Sequence, residues 1–172
     1  MNKVAIFGKP GSGKSTLALK LGSALGIPAL LLDRIQYSDN GDPSDPDEFS
    51  ASHQAWIEGA EWIIDGLGPR PLFQARLQAA DTWVYVDMPY WRSYWWVTKR
   101  CLLSPFMPIS GWPEKASVLR GTWLSYKTLR LCPTFWNDAF VQRLRDTQGA
   151  RALIVLRTQQ EVKDFLSKVG AS

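Results

Sequence analysis

Apolar positions along the chain follow two patterns that alternate from one end to the other. Short, unbroken apolar runs are typical of buried parallel strands, and five of them occur, at residues 3–7, 27–32, 62–66, 82–86 and 152–156. Between the runs, apolar residues recur every three or four positions, which predicts helices, including those at 71–80, 90–103, 114–131, 135–146 and 161–169. Strands that alternate with helices predict a three-layer α/β fold, with a five-stranded parallel sheet covered by helices on both faces. We expect one domain over residues 1–172.

The first strand leads directly into a glycine-rich segment, Gly8-Lys9-Pro10-Gly11-Ser12-Gly13-Lys14-Ser15-Thr16. It fits the P-loop pattern G-x-x-x-x-G-K-[ST], which lies between a strand and a helix. Leucines at 17, 21 and 25 predict that helix, and Gly26 is suited to end it. The backbone of such a loop binds phosphates, its lysine reaches the β- and γ-phosphates, and its serine binds Mg²⁺. The motif therefore predicts a P-loop NTPase fold that binds ATP and Mg²⁺ through residues 8–16, with Lys14 and Ser15 in these two roles.

Two further strands end in a carboxylate, Asp33 after the second and Asp65 after the third. Ligands of open α/β sheets bind beyond the carboxyl ends of the strands. We therefore predict that Asp65 helps to hold Mg²⁺ and that Asp33 meets the substrate, as a base or as an acceptor for a hydroxyl; the alternative for Asp33 is a helix or turn cap. Arg70 follows a glycine-containing loop and carries a guanidinium suited to an anionic acceptor.

Composition narrows the possible functions. Two cysteines, Cys101 and Cys132, provide neither a disulfide framework nor a zinc quartet, and a single histidine excludes a multi-histidine metal site. We expect that histidine, His53, to be a packed or half-exposed residue rather than a catalyst. No apolar run approaches the roughly 18 residues of a membrane span, and the chain starts directly with its first strand. The expectation is a cytoplasmic protein without a membrane partner.

Charge is distributed unevenly along the chain. Residues 1–88 contain 7 basic and 11 acidic residues, whereas residues 89–172 contain 13 basic and 5 acidic residues. A basic half favours polyphosphate or nucleic acid as a partner, or is only a solvated basic surface. The P-loop favours polyphosphate. No nucleic-acid-binding motif is present, so nucleic acid is only weakly supported as a partner.

The segment from 90 to 131 combines aromatic and irregular sequence. The helix predicted at 90–103 carries three of the chain's nine tryptophans, Trp91, Trp95 and Trp96. Either this helix packs on two sides, or it exposes an apolar patch to a partner subunit or a nucleobase. Proline and glycine in residues 104–113 prevent a regular helix or strand there. A loop this long within a compact domain is often a lid. We expect a lid or insert region at about 102–131.

Taken together in this order, these segments resemble the adenylate-kinase-like small kinases, and most closely the bacterial DNA topology modulation proteins. The resemblance covers nearly the whole chain and is carried by the P-loop and by short segments, namely LLLD ending at Asp33, WIIDG at 62–66, AADTWVYVDMP at 79–89, KR at 99–100, PEK at 113–115 and ALIVLRTQQEVKDFL at 152–166.

The resemblance implies phosphoryl transfer from ATP to a small acceptor. It implies that Lys14, Ser15 and Asp65 bind ATP and Mg²⁺, that Asp33 and Arg70 bind the acceptor, and that Arg100 is the arginine that begins the lid. The chain departs from the family in two ways: Trp96 stands where a second arginine is usual, and residues 102–113 contain no Lys or Arg.

Two functions are compatible with this sequence. The first is a Mg²⁺-dependent kinase that acts on a nucleotide or small metabolite, with Lys14, Asp33 and Arg100 as its catalytic residues. The second is an ATP-dependent regulatory or nucleic-acid-associated protein with little or no kinase activity. The sequence leaves open the acceptor, the choice between ATP and GTP, and the oligomeric state.

Overall fold

A computed structural model describes residues 1–36, 42–104 and 117–170. Five strands form one parallel sheet: β1 (Lys3–Gly8), β2 (Ala29–Leu31), β3 (Trp62–Asp65), β4 (Thr82–Val86) and β5 (Ala152–Leu156). The helices are α1 (Lys14–Leu25), α2 (Asp33–Gln36), α3 (Pro46–Glu58), α4 (Arg70–Ala79), α5 (Tyr90–Leu103), α6 (Val118–Leu131), α7 (Asp138–Thr147) and α8 (Gln159–Gly170).

The strand order is β2-β3-β1-β4-β5, so β1 lies at the centre of the sheet. Helices α1 and α8 cover one face over an aliphatic core that includes Val4, Ile6 and Leu21. Helices α3, α4 and α7 cover the other face, where the core is aromatic. The predicted three-layer fold with five parallel strands is therefore confirmed.

The aromatic side of the core surrounds the central strand. The Trp136 ring stacks on Phe7 of β1 and on Tyr85 of β4, with centroids 5.8 and 5.2 Å apart. Phe140 meets the edge of the same indole at 4.7 Å. These contacts bury the start of α7 against the middle of the sheet, directly behind the strand that leads into the P-loop.

Differences from the predicted boundaries arise from turns and caps. The second strand begins at Ala29 rather than at residue 27, because the amide of Ile27 donates to the Gly22 carbonyl (3.1 Å) and so belongs to the turn that ends α1. Helix α7 begins at Asp138 rather than at residue 135, because the Asn137 side chain caps it by accepting from the Phe140 amide. The predicted cap of α3 is confirmed: Asp45 accepts from the amides of residues 47 and 48.

The region between α5 and α6 is only partly described. Helix α5 spans the predicted residues, and α6 ends at the predicted residue. The lid predicted at 104–113 and the beginning of the helix predicted at 114 fall mostly on residues 105–116, which lie outside the described residues. Within the described ranges, no helix is long and apolar enough to cross a membrane.

His53 of α3 is fully buried, as the packed alternative predicts. Burial, and after it the charge of Arg76, lowers the pKa of His53 from 6.5 to about 4. An unfolded chain therefore takes up a proton between these two values that the folded chain does not, and stability decreases as the pH falls through that window.

We expect acidification from about pH 7.5 to about pH 5 to lower the free energy of unfolding by about 2 kcal/mol more in the native protein than in a His53→Leu variant. Urea unfolding of both proteins across this range measures the difference. Parallel pH curves for the two proteins would show that His53 does not carry this dependence.

Candidate active site

The carboxyl ends of the five strands meet at one edge of the sheet. The P-loop follows β1, and Asp33, Asp65 and Asp87 lie at or just after the ends of β2, β3 and β4. Asp65 is in register with Leu31 of β2 and with Ile6 of β1, so the Asp33 and Asp65 ends lie beside the beginning of the P-loop. The position between oppositely directed crossovers, here at β1, is where open α/β sheets bind their ligands.

The path of the P-loop requires glycine at two positions. A Cβ atom on Gly8 (φ +148°) would lie 2.3 Å from the carbonyl oxygen of Val86 in β4. A Cβ atom on Gly11 (φ +70°) would lie 2.6 Å from the Ser93 carbonyl oxygen and 2.9 Å from a Val97 methyl group, both in α5. The loop therefore lies directly on β4 and α5, which no larger residue at either position would permit.

The N-terminus of α1 is open to an anion. Its N-cap is Gly13, which has no side chain to accept from the first amides, and the first turn contains no acidic residue. The free amides and the helix dipole therefore remain available to a negatively charged ligand. The Lys14 ammonium lies at the same place and donates to the Lys9 carbonyl at 2.8 Å. These groups can bind a phosphate together.

Ser15, in the first turn of α1, brings its hydroxyl oxygen against the Asp65 carboxylate. The Ser15 hydroxyl donates to Asp65 Oδ2 at 2.6 Å, while Asp65 Oδ1 is buried and accepts no hydrogen bond from the described residues. A hydroxyl and a carboxylate oxygen suit Mg²⁺, which usually completes its shell with water and phosphate oxygens. Among the described residues, no group of three or more His, Cys, Asp or Glu side chains is placed to hold a metal ion. The pair fits a magnesium ion shared with a phosphate ligand.

Asp33 and Asp65 are close enough for their charges to interact. Asp33 is exposed at the start of α2. Its pKa is nevertheless raised above the ordinary value of 3.8 by partial loss of solvating water and by the Asp65 carboxylate, whereas Lys14 and Arg100 lower it. Burial likewise raises the pKa of Asp65, against the opposing effects of Lys14, Ser15 and Arg76. The structure thus brings together two carboxylates and two cations from separate parts of the sequence.

Arg100 joins this group from α5. Burial lowers its pKa, and the nearby Asp33 acts in the opposite direction. Its guanidinium also donates to the Ser125 hydroxyl of α6 at 3.3 Å. The arginine is therefore anchored to α6 through Ser125 and lies near enough to Asp33 for the two charges to interact.

Arg70 and Thr16 are less constrained. Arg70 is the exposed first residue of α4, and its side chain makes no hydrogen bond or ion pair within the described parts of the chain. Thr16 is exposed in the first turn of α1. Neither side chain is held toward the group formed by Lys14, Asp33 and Arg100.

A buried arginine, Arg76, lies next to Asp65 and was not predicted from the sequence. It is fully buried and donates through Nη2 to the carbonyls of Gly66 and Leu67, the latter at 3.2 Å. Burial lowers its pKa to about 10, and the Asp65 carboxylate opposes that shift. Arg76 thus fixes the loop that follows β3. Its position in α4 fits the ordinary spacing of an amphipathic helix, so the sequence gives no signal that this arginine is buried. Only the folded structure shows it.

Lys9 binds away from the phosphate cradle. Its buried ammonium forms an ion pair with the partly exposed Asp87 and lies 4.6 Å from the centre of the Tyr90 ring. Asp87 also accepts from the Tyr85 hydroxyl at 3.1 Å and lies 3.4 Å from Arg157 Nε. The P-loop is therefore tied through its second residue to the end of β4. The signal that singled out Asp33 and Asp65, a carboxylate at a strand end, also applies to Asp87.

Comparison with known proteins identifies the fold. No family model and no curated protein matches the sequence. Among solved structures, the chain resembles a shikimate kinase from Acinetobacter baumannii in complex with shikimate (TM-score 0.54, 16% identity, covering 98% of this chain and 90% of that one). It also resembles a gluconokinase from Sinorhizobium meliloti 1021 (0.53, 16%, 99% and 90%) and a sugar kinase from Janibacter sp. HTCC2649 (0.52, 15%, 96% and 90%). The fold is that of the P-loop small kinases.

The buried ion pair leads to a stability prediction. An Asp87→Ala substitution leaves the Lys9 ammonium buried without its carboxylate, and we expect a loss of about 3 kcal/mol in the free energy of unfolding. The matched control is Asp42→Ala, which breaks the exposed Arg120–Asp42 pair (3.2 Å) and should cost less than about 1 kcal/mol. Urea unfolding measures both.

A double variant, Lys9→Met with Asp87→Ala, should recover much of the lost stability because it no longer buries an unpaired charge. Equal costs for Asp87→Ala and Asp42→Ala would contradict the structural role of the buried pair.

Proposed function

We propose that this protein is a Mg²⁺-dependent phosphotransferase that moves the γ-phosphoryl group of ATP to a hydroxyl group of a small acceptor. The observation that carries the proposal is the meeting of Lys14, Asp33, Asp65 and Arg100 at the open N-terminus of α1. A phosphate cradle, a pair of oxygen ligands for a metal, and a carboxylate that can accept a proton are the parts that such a reaction needs.

Each residue has a defined task in this proposal. The amides at the start of α1 and the Lys14 ammonium bind the β- and γ-phosphates, and Ser15 and Asp65 bind Mg²⁺, which neutralises phosphate charge. The acceptor hydroxyl attacks the γ-phosphorus, the bond from that phosphorus to the β–γ bridging oxygen breaks, and ADP leaves. Asp33 takes the proton of the hydroxyl. Arg100, beside Asp33, stabilises the negative charge on the transferred group.

The raised pKa of Asp33 supports its task. A carboxylate accepts a proton more readily when its pKa is closer to the operating pH. Loss of solvating water, and after it the charge of Asp65, thus makes Asp33 a better base than an isolated aspartate. Lys14 and Arg100 act in the opposite direction, because they favour the ionised form of Asp33.

The acceptor belongs to a broad class. The matched structures are named for shikimate, gluconate and sugar phosphorylation, which supports small hydroxylated metabolites as candidates alongside nucleoside monophosphates. The resemblance to DNA topology modulation proteins adds nucleic-acid-related functions to the candidates. Arg70, at the exposed start of α4, remains our candidate for binding an anionic group of the acceptor.

A second function, ATP-dependent regulation with slow or absent transfer, is favoured by one observation. A kinase needs several cations around the transferred phosphoryl group. Arg120 of α6, which could be one of them, is exposed and pairs with Asp42 instead. On α5 and α6, Arg100 is thus the arginine whose charge acts on Asp33. A site with so few cations would bind ATP and transfer its phosphoryl group slowly.

ADP production distinguishes the two functions. Mg²⁺ and ATP are incubated with a panel of hydroxylated acids, sugars, nucleosides and nucleoside monophosphates. Turnover that depends on one acceptor class supports the kinase, and ATP binding without such turnover supports the regulatory protein. We expect Lys14→Ala to weaken ATP binding by about 10- to 100-fold through loss of a charged hydrogen bond. The control is Lys20→Ala, an exposed lysine of the same helix, which should bind ATP normally.

Asp33→Asn tests the base. We expect this variant to bind ATP as the native protein does and to lose about 10²- to 10⁴-fold in kcat, because an amide cannot accept the proton. The native rate should decrease as the pH falls through the raised pKa of Asp33, above its ordinary value of 3.8, and the residual activity of the variant should lack this limb. The exposed Asp47→Asn is the control. An unchanged kcat in Asp33→Asn would remove Asp33 from the mechanism.

A further inference from the structure

Helices α5 and α6 expose large apolar side chains that the proposed reaction does not use. On α5, Trp91 is 69% exposed, Trp95 57% and Leu102 67%. These three positions lie on one side of the helix, opposite Ser93 and Val97, which are fully buried. Helix α5 packs on the P-loop through Ser93 and Val97 and on α6 through Tyr94 and Thr98, and it also exposes an apolar patch. Each of the two alternatives for this helix is therefore confirmed in part.

Helix α6 extends this surface. Leu119 is 74% exposed and Trp123 61% exposed, one turn apart on the same side. Tyr126 joins the two helices: its ring stacks on Tyr94 at 5.7 Å, and its hydroxyl lies 2.5 Å from that of Thr98.

The joint between the helices lies beside both apolar stripes. Tyr126 is one turn from Trp123, and Thr98 is one turn from both Trp95 and Leu102, so these residues are neighbours on their helix surfaces. The two stripes thus form one surface across the helix pair. We call it the apolar–basic face, with apolar members Trp91, Trp95, Leu102, Leu119 and Trp123.

The charges around these side chains have one sign. Neither α5 nor α6 contains an Asp or Glu, and the cations on their outer sides are Arg92, Lys99, Arg120, Lys127 and Arg130. Arg120 is partly neutralised by Asp42. The ammonium of Lys99 lies 5.0 Å from the centre of the Trp96 ring, and that of Lys127 lies 5.6 Å from the Trp123 ring. Apolar tips and positive charges therefore alternate on one surface.

We propose that the apolar–basic face binds the surface of an anionic phospholipid bilayer. Trp and Leu side chains enter the boundary between headgroups and acyl chains, while Lys and Arg next to them contact lipid phosphates. Tryptophan is well suited to this boundary because its ring is apolar and its N–H remains hydrated. Such binding needs no helix that crosses the membrane.

Charge and shape favour a bilayer over other occupants. A second copy that docked through the same face would oppose like charges, which is unfavourable. Single-stranded nucleic acid is bound by aromatic rings on which bases stack, and the exposed leucines of this face offer no such ring. A bilayer accommodates both side-chain types at once.

Vesicle flotation of the full chain tests the proposal. Vesicles of phosphatidylcholine alone are compared with vesicles that also contain phosphatidylglycerol, at low and at high salt. We expect flotation only with the anionic vesicles and a decrease at high salt, because salt screens the lipid charge. Quenching of tryptophan fluorescence by brominated lipids should accompany flotation if indole rings enter the bilayer.

Two variants separate the apolar from the basic contribution. One combines Trp91→Ser, Trp95→Ser and Trp123→Ser; its control changes exposed leucines elsewhere, Leu19→Ser and Leu67→Ser. The other combines Lys99→Gln, Lys127→Gln and Arg130→Gln; its control removes the same charge elsewhere, with Lys20→Gln, Arg145→Gln and Lys163→Gln. We expect each face variant to lower the vesicle partition coefficient by about tenfold or more and each control to bind as the native protein does.

Several results would overturn the proposal. These are a lack of flotation with anionic vesicles, flotation that survives the tryptophan substitutions, and equal losses in face and control variants. Dimerisation or single-stranded oligonucleotide binding that depends on the same tryptophans, without vesicle binding, would assign the face to a different partner. Urea unfolding of each variant verifies that it is folded; the substituted side chains are exposed, apart from the half-buried Lys99.

Discussion

The close approach of the P-loop to its supports is the constraint on which the site depends. At Gly8 the loop backbone touches β4, and at Gly11 it touches α5, with no space for a side chain at either position. The buried pair of Lys9 and Asp87 fastens the same loop to the end of β4. These contacts hold the loop on the side that faces β4 and α5. The amides at the start of α1 remain unpaired on the other side, where they can bind an anion.

Electrostatic balance is the second property that connects the parts of the site. Loss of solvating water raises the pKa of both Asp33 and Asp65, and the charge of Asp65 raises the pKa of Asp33 further. Lys14 counteracts these effects at both carboxylates, Arg100 at the first and Arg76 at the second. A bound cation at Asp65 would reduce the same repulsion. Three cations thus lower the pKa values of the two carboxylates, and one of these cations, Arg76, is fully buried in the core.

Helix α5 links the site to the outer surface of the protein. Its inner residues, Ser93 and Val97, lie under the P-loop, and Arg100 lies beside Asp33. Its outer residues, Trp91 and Trp95, are exposed. A ligand that binds the outer side therefore contacts the same rigid element that supports the phosphate cradle. Residues on neighbouring turns of one helix thus belong to two different environments.

The sequence by itself determined the fold class and located most residues of the candidate site. Five apolar runs separated by helical spacing specify a parallel sheet, since buried strands and amphipathic helices differ in period. A carboxylate that follows a parallel strand lies at the edge of the sheet where ligands of such folds bind. This rule placed Asp33 and Asp65 near the P-loop. The tertiary structure alone decided which side chains meet across the sheet and what is buried. Three features depend on contacts between residues far apart in sequence: the ion pair of Lys9 with Asp87, the burial of Arg76 and the exposure of the α5 tryptophans. Periodicity carries no information about those contacts.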